Sequence, residues 1–184
     1  MGYLVVIMGP MFSGKTKLLI KKYNEYKSSS SAKAYNYYKD TRYGDDMIVS
    51  HDGTSISSVN LKYLTELFND IKIVQDPLIP IFINEAQFFP DLKEVVIKLV
   101  EQYNKDVVIC GLDSDYKREK FGQIWDLIPY ADEIIKLYGN CNDCDNKSLF
   151  TYRVSDQTQQ EVIGNNNYIP LCRSCYINKN NLLN

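Results

Sequence analysis

The chain has 184 residues, enough for one full domain with its own core and at most a small appendage, which excludes two large domains. With 45% hydrophobic and 24% charged residues it has the composition of a folded globular protein, neither disordered nor collagen-like. Its 21 basic and 23 acidic side chains leave a formal charge of -2, too balanced for the broad positive field that non-specific nucleic-acid binding needs.

At the start, Met1-Gly2-Tyr3-Leu4 carries no basic region ahead of its apolar stretch and no cleavage site, so no signal peptide is expected; Val6 stands where a myristoylation motif wants Ser or Thr. The longest apolar runs, Tyr3 to Met8 and Leu78 to Ile83, fall far short of the roughly 20 residues of a membrane span. The expected location is the cytoplasm. Residues 3 to 8 are continuously apolar and partly β-branched, the pattern of a strand buried on both faces of a parallel sheet.

Directly after this strand, Gly9-Pro10-Met11-Phe12-Ser13-Gly14-Lys15-Thr16 is a complete phosphate-binding loop, G-x-x-x-x-G-K-[ST]. Its glycines let backbone N–H groups wrap a phosphate, the following helix adds its positive end, Lys15 reaches the β and γ phosphates, and Thr16 can ligate Mg²⁺. A chance turn would not be flanked by the required strand and helix. From Lys15 to about Tyr26, Leu18, Leu19, Tyr23 and Tyr26 recur at helical spacing, giving an amphipathic helix that frays into Ser28 to Ser31.

Further strands are predicted at Ala34 to Tyr38, Ile71 to Val74, Ile79 to Ile83 and Val107 to Cys110, with helices at Asn60 to Phe68 and Pro90 to Tyr103. This alternation predicts an α/β fold: a phosphate-loop NTPase-type parallel sheet with helices on both faces. In such a sheet the carboxyl ends of the strands face the ligand crevice, so Asn84 and Glu85, at the end of the strand through Ile83, emerge beside the phosphate loop, where a carboxylate can act as a base. Leu112 to Gly122, after another buried strand, mixes aromatic and charged side chains in a manner suited to stacking a flat base. On its own that stretch reads better as a solvated loop.

Near residue 139 the helical periodicity stops, which places a boundary between a domain over 1–138 and a module over 139–184. Thr151 to Val154 and Gln160 to Ile163 are predicted as a strand pair joined through Ser155 to Gln159. Of five cysteines, Cys141, Cys144, Cys172 and Cys175 form two Cys-x-x-Cys pairs, which reads as a tetrahedral thiolate site for structural zinc rather than a disulfide framework. Cys110 ends an apolar strand and reads as a small buried hydrophobe.

These motifs, together with Asp40-Thr41-Arg42-Tyr43, Ser50-His51-Asp52, Glu85-Ala86-Gln87-Phe88-Phe89, Gly111-Leu112-Asp113, Arg118 through Phe121-Gly122 and Cys172-Arg173-Ser174-Cys175-Tyr176, resemble the type II thymidine kinases of animal cytosol, bacteria and large DNA viruses. The resemblance spans almost the whole chain. It implies transfer of the ATP γ-phosphoryl group to the thymidine 5′-hydroxyl, with Mg²⁺ alongside ATP, Glu85 as general base and Arg118 meeting the phosphoryl group. It further implies an ATP site extending from the phosphate loop to Asp40, Thr41, Arg42, Asn84 and Gln87, and an apolar wall for thymine from Phe88, Leu112, Tyr116 and Phe121 with Thr151 at the deep end.

By the same resemblance the cysteine module is a zinc-stapled lasso that closes over the nucleoside with backbone groups of Gln160, Glu161, Val162, Ile163 and Gly164 and the side chain of Tyr168. A homotetramer and feedback by dTTP are implied as well, with no nucleic-acid or membrane partner. Asn84 departs from the aspartate usual in the family, Tyr116 from phenylalanine, and Ser114-Asp115 from Gly-Thr. The first departure puts Mg²⁺ affinity in question, and the second is expected to add a hydroxyl at the base pocket. Only nine residues follow Cys175, so the long regulatory tail of animal cytosolic members is expected to be absent, and a vocabulary rich in Asn, Ile, Lys and Tyr fits an AT-rich genome such as that of a poxvirus. His51 is assigned to no catalytic step. The rival readings are a kinase of another nucleoside and a zinc-containing ATPase that binds nucleic acid, which would carry a basic stripe.

Overall fold

The computed structural model describes residues 1–27, 31–40, 46–162 and 167–180. Thr41, Arg42, Tyr43, Ile163 and Gly164 lie outside the described residues, as do Ser28 to Ser30.

The apolar run at the start forms β1 (Tyr3–Gly9) and the lysine-rich amphipathic segment α1 (Lys15–Lys27). Then come β2 (Lys33–Tyr37), β3 (Met47–Val49), β4 (Ser55–Ser57), β5 (Val59–Leu61), α2 (Ile71–Gln75), β6 (Ile81–Ile83), α3 (Leu92–Ile97), β7 (Asp106–Leu112) and β8 (Glu133–Lys136). Six strands make one sheet in the order β5-β2-β6-β7-β1-β8, and every pairing in it is parallel. Alternate residues of β1 divide between two cores, as period-2 side-chain geometry requires. Leu4, Val6 and Met8 pack with α3, and Val5 and Ile7 with Leu19, Ile20 and Tyr23 of α1. The sheet is therefore covered on both faces, with the β3–β4 hairpin joining α1 through Ile48 and Ile56.

Three local expectations are corrected. Ile71 to Val74 is the helix α2 rather than a strand: the Asp70 carboxylate accepts from the backbone N–H of Lys72 as an N-cap, and a single turn suffices to bury Ile73. Asn60 to Phe68 is not one helix, because Val59–Leu61 pairs in parallel with β2 and only Leu64–Asn69 coils, as a 3-10 helix whose first N–H groups are held by Asp91. Leu61, Leu64 and Leu67 still reach the same core. The partner of β11 (Phe150–Arg153) is β12 (Tyr168–Leu171), antiparallel, not Gln160 to Ile163. The Gln160 carbonyl, at the start of the predicted strand, is held instead by the Arg153 guanidinium at 2.9 Å.

Between β8 and β11, β9 (Gly139–Asn140) and β10 (Lys147–Ser148) form a small antiparallel turn, and β12 leads into α4 (Arg173–Lys179). Cys141, Leu171, Cys172 and Tyr176 form a separate core for this C-terminal part. No helix among the described residues is long and apolar enough to cross a membrane.

Candidate active site

Because β1, β2, β6 and β7 are parallel, their carboxyl ends share one edge of the sheet, and the segments that leave them converge on a cavity of about 420 Å³. At one end lie Met11 to Lys17 of the phosphate loop. Gly14 has φ +82°, a left-handed conformation that turns the chain into α1, and Phe12 takes the same region at φ 62°. Lys15 Nζ donates to the Pro10 carbonyl at 2.7 Å, curling the lysine over the loop, and the Ser13 hydroxyl is buried with no partner among the described residues. A buried unsatisfied hydroxyl is costly, so this atom suits an anion or its water. With the N-terminus of α1 behind it, the loop offers concentrated hydrogen-bond donors to a phosphate.

Glu85 follows β6 in the left-handed region at φ 51°, ψ 41° and faces the cavity. Gln87, buried, donates to Glu85 Oε2 at 2.6 Å while its own Oε1 accepts from the Leu112 N–H at 3.0 Å. The amide thus ties the carboxylate to the end of β7 and fixes its orientation. Gly122, at φ 61°, comes so close to the Gln87 backbone that no Cβ fits, which holds the turn after β7 against this relay.

Asn84 is buried at the end of β6, and the register sets it beside Cys110 of β7. Its Oδ1 accepts from Cys110 Sγ at 3.1 Å and from the Thr16 hydroxyl at 3.4 Å, and its Nδ2 donates to Asn36 Oδ1 at 2.9 Å. Asn36 Nδ2 in turn donates to Asp40 Oδ2 at 3.3 Å. The Thr16 hydroxyl and Asn84 amide oxygen are hard oxygen donors of the kind Mg²⁺ takes. Burial pushes the Cys110 thiol up to about 12, consistent with a packing role. Asp113, at the end of β7, is not available to a cation there, since its carboxylate pairs with Lys136 Nζ at 3.0 Å.

The far end of the cavity is aromatic. Phe88 stacks on Tyr37 at 5.1 Å and meets Phe121 edge to face at 5.3 Å, with Leu112 and Tyr116 beside them. Thr151 is buried at the junction, where its hydroxyl accepts from the Met11 N–H at 3.0 Å and so joins the phosphate loop to β11. Gln160, Glu161, Val162 and Tyr168 close the rim. Tyr116 lines the cavity, and its hydroxyl donates to the Thr158 carbonyl at 3.1 Å. Arg118 stands apart from the cavity, with its guanidinium over the Tyr176 ring at 4.8 Å and the Phe150 ring at 5.5 Å.

Tyr37 and Asn36 belong to the site but carry no motif; the signal for them is only an aromatic and a buried amide at the end of a strand. The β3–β4 turn brings the Ser50-His51-Asp52 motif to the cavity. His51 lies 5.2 Å from the Phe12 ring, and Asp52, held well below the usual carboxylate range first by its bond from Lys17, ties the turn to α1 at 2.7 Å.

Cys141, Cys144, Cys172 and Cys175 bring their sulfurs within 4.8 Å of one another. The Cys144–Cys172 and Cys144–Cys175 separations are 3.6 and 3.7 Å, close to the roughly 3.8 Å that tetrahedral Zn–S bonds of ~2.3 Å require and far beyond a disulfide. Burial pushes the Cys141 thiol up, but the N–H groups of Cys172 and Asp143 and the neighbouring Cys144 and Cys175 thiols together outweigh it and bring it to about 7. The donor set fits zinc.

A family model described as "Thymidine kinase" matches residues 2–176. A "Thymidine kinase" of Oryza sativa subsp. japonica is 38% identical over 187 residues, covering 96% of this chain and 66% of the rice protein. A "Thymidine kinase" of Yaba monkey tumor virus is 36% identical over 183 residues, covering 98% of this chain and 97% of the viral protein. The "Thymidine kinase, cytosolic" of Bos taurus is 32% identical over 180 residues, covering 97% of this chain and 73% of the bovine protein. The chain thus spans about two thirds of the rice relative and nearly all of the viral one. With a phosphate loop, a carboxylate and an aromatic pocket opening on one cavity, and a family model that takes in all of them, the chain belongs to the thymidine kinase family.

Proposed function

We propose that the chain transfers the γ-phosphoryl group of ATP to the 5′-hydroxyl of thymidine, with Glu85 as general base. One observation carries this reading: the phosphate loop, the aromatic residues Phe88 and Phe121 and the Glu85 carboxylate all line a single cavity. Phosphates held by the loop and Lys15 and a base stacked near Phe88 and Phe121 would put the sugar 5′-oxygen beside Glu85, which takes its proton as the oxygen attacks phosphorus. Positioning supplies much of the rate in such a transfer. Bound Mg²⁺ would neutralise phosphate charge, held on the protein side by Thr16 and Asn84. Zinc would be structural, since four thiolates leave no open position for a substrate. Arg118 would reach the phosphoryl group only by leaving its stack on Tyr176 and Phe150. A panel of nucleosides with labelled ATP tests the reading: thymidine should be the preferred acceptor, and phosphorylation of some other nucleoside instead would assign the aromatic pocket differently.

The boundary at 139, a homotetramer, feedback by dTTP and a cytoplasmic location belong to the same reading. Free cysteines spaced for a metal suit a reducing compartment. Exposed Ile134 on the edge strand β8, with Trp125 and Tyr130 exposed as well, suits self-association, and a cavity lined by both the phosphate loop and aromatic residues suits a nucleoside triphosphate.

Asn84 gives a directional test. An aspartate there adds charge to the side chain that meets Thr16, and charge-assisted hydrogen bonds are about twice as strong as neutral ones. Asn36 must turn its amide to face the new carboxylate and give up Asp40, one hydrogen bond of ~1 kcal/mol. The gain at the cation outweighs this, so Asn84→Asp should lower the Mg²⁺ concentration for half-maximal activity several-fold and leave the thymidine KM little changed. A Mg²⁺ titration at fixed ATP decides it. An unchanged requirement would show that Asn84 does not act on the cation, for Asp113 is already engaged with Lys136.

A further inference from the structure

We propose that Arg153 is a positioning residue that, together with the Tyr116 hydroxyl, latches the 157–160 loop shut over the nucleoside end of the cavity and so sets thymidine affinity. The proposal rests on the nucleoside reading of that pocket.

Arg153 ends β11 and is 5% exposed, yet it does not line the cavity; its guanidinium lies behind the wall. It has no carboxylate partner among the described residues. Burying an unpaired cation is costly, so its compensation must come from neutral oxygens and ring faces. Nη1 donates to the carbonyls of Gln157, at 3.0 Å, and Gln159; Nη2 donates to the carbonyl of Gln160 at 2.9 Å and to the Tyr168 hydroxyl at 2.6 Å. The carbonyl in between, that of Thr158, accepts from the Tyr116 hydroxyl at 3.1 Å. Four consecutive backbone acceptors, 157 to 160, are therefore all captured by two side chains.

The two side chains also hold each other. The guanidinium lies 3.7 Å from the centre of the Tyr116 ring and 5.1 Å from that of Tyr168, which in turn donates to the Val162 carbonyl at 3.0 Å. Tyr116, Val162 and Tyr168 line the cavity from the other side. Opening the loop would strip the buried cation of its carbonyls, so the latch favours the closed arrangement and the residues that line the pocket follow it. A planar fork spans separate carbonyls from two nitrogens, whereas the three donors of an ammonium all radiate from one.

The test uses the zinc-loaded full chain with Arg153→Met, Arg153→Lys and Tyr116→Phe, measuring kcat, the KM for thymidine and for ATP, and hydrogen exchange of the 154–162 segment. Arg153→Met should raise the thymidine KM by about tenfold or more and leave the ATP KM within about twofold; Tyr116→Phe, which removes one hydrogen bond, should raise it about threefold, and Arg153→Lys should fall between. Exchange in 154–162 should quicken in each variant while β1 and β7 keep their protection. Should Arg153→Met fail to fold, Tyr116→Phe and Arg153→Lys carry the same comparison. A thymidine KM unchanged in a folded variant, or thymidine and ATP KM values rising together, would overturn the latch. Failure of the parent chain to phosphorylate thymidine would instead overturn the nucleoside reading, and faster loop exchange in the variants would then still be measurable.

Discussion

Glu85→Gln should lower kcat by about 10²- to 10⁴-fold, the usual range for a positioned general base, with the ATP dissociation constant nearly unchanged. The geometry sharpens the expectation. Gln87 Nε2 donates to one Glu85 oxygen, so a glutamine at 85 must turn its own carbonyl toward that amide and leave its NH₂ facing the cavity. A donor then stands where a proton acceptor is required. The side chain keeps its size and its bond to Gln87, and ATP binding at the phosphate loop has no reason to change. Rapid-quench measurement of the phosphoryl-transfer step, with ATP binding measured separately, checks both halves. A loss below about fivefold would remove Glu85 from the role of base. The converse variant, Gln87→Leu, removes the support and should leave the base present but misdirected.

Loss of the metal is expected to have the second large effect, and it should be local at first. Purified protein should carry one zinc per chain, and Cys172→Ser should abolish that stoichiometry and loosen the C-terminal module before the sheet. Cys172 caps α4, accepting from the Cys175 N–H at 3.5 Å, and α4 places Tyr176 so that its hydroxyl donates to the Tyr116 carbonyl at 2.6 Å. Without the metal, four thiols within 4.8 Å have only a small core to hold them together, whereas structural zinc is worth on the order of 10 kcal/mol in modules of this kind. The wall formed by Tyr116 should slacken with α4. Thymidine phosphorylation is therefore expected to fall by at least about tenfold while β1 and α1, buried in their own cores, retain exchange protection and ATP binding. Metal analysis that finds no zinc in active protein would reject the site, and simultaneous unfolding of both parts would show that the module is not a separate cooperative unit.

Much of the framework was legible in the chain itself. The apolar run of β1, the phosphate loop behind it and the periodicity of α1 are contiguous, so local pattern alone specifies strand, turn and helix there. The paired cysteines were equally readable, because a tetrahedral thiolate site needs only residue type and short spacing. Sequence also put Asn84 and Glu85 at a strand end beside the loop. It misread Ile71 to Val74, where a capping aspartate turns four residues into a helix, and it ran Asn60 and Leu61 into a helix although the free edge of β2 takes them as β5.

What the tertiary structure decided are relations between distant residues. Gln87 accepting from Leu112, Asn36 holding Asn84, and Thr151 bridging to Met11 each join segments whose spacing carries no periodic signal. The same holds for the loop at 157–160, of which the residue types predict 157–159 as the connection between two strands and only Gln160 as the start of one. Its carbonyls go to Arg153 and Tyr116 instead of to a ladder, a choice set by a buried cation that has no other means of replacing its water. Sequence alone determined which chemical groups the chain could bring to a phosphate, a base and a metal, because those depend on residue type over short spans. Which groups face one another, and which ones hold others in place, depended on strand order and burial, which only the folded chain sets.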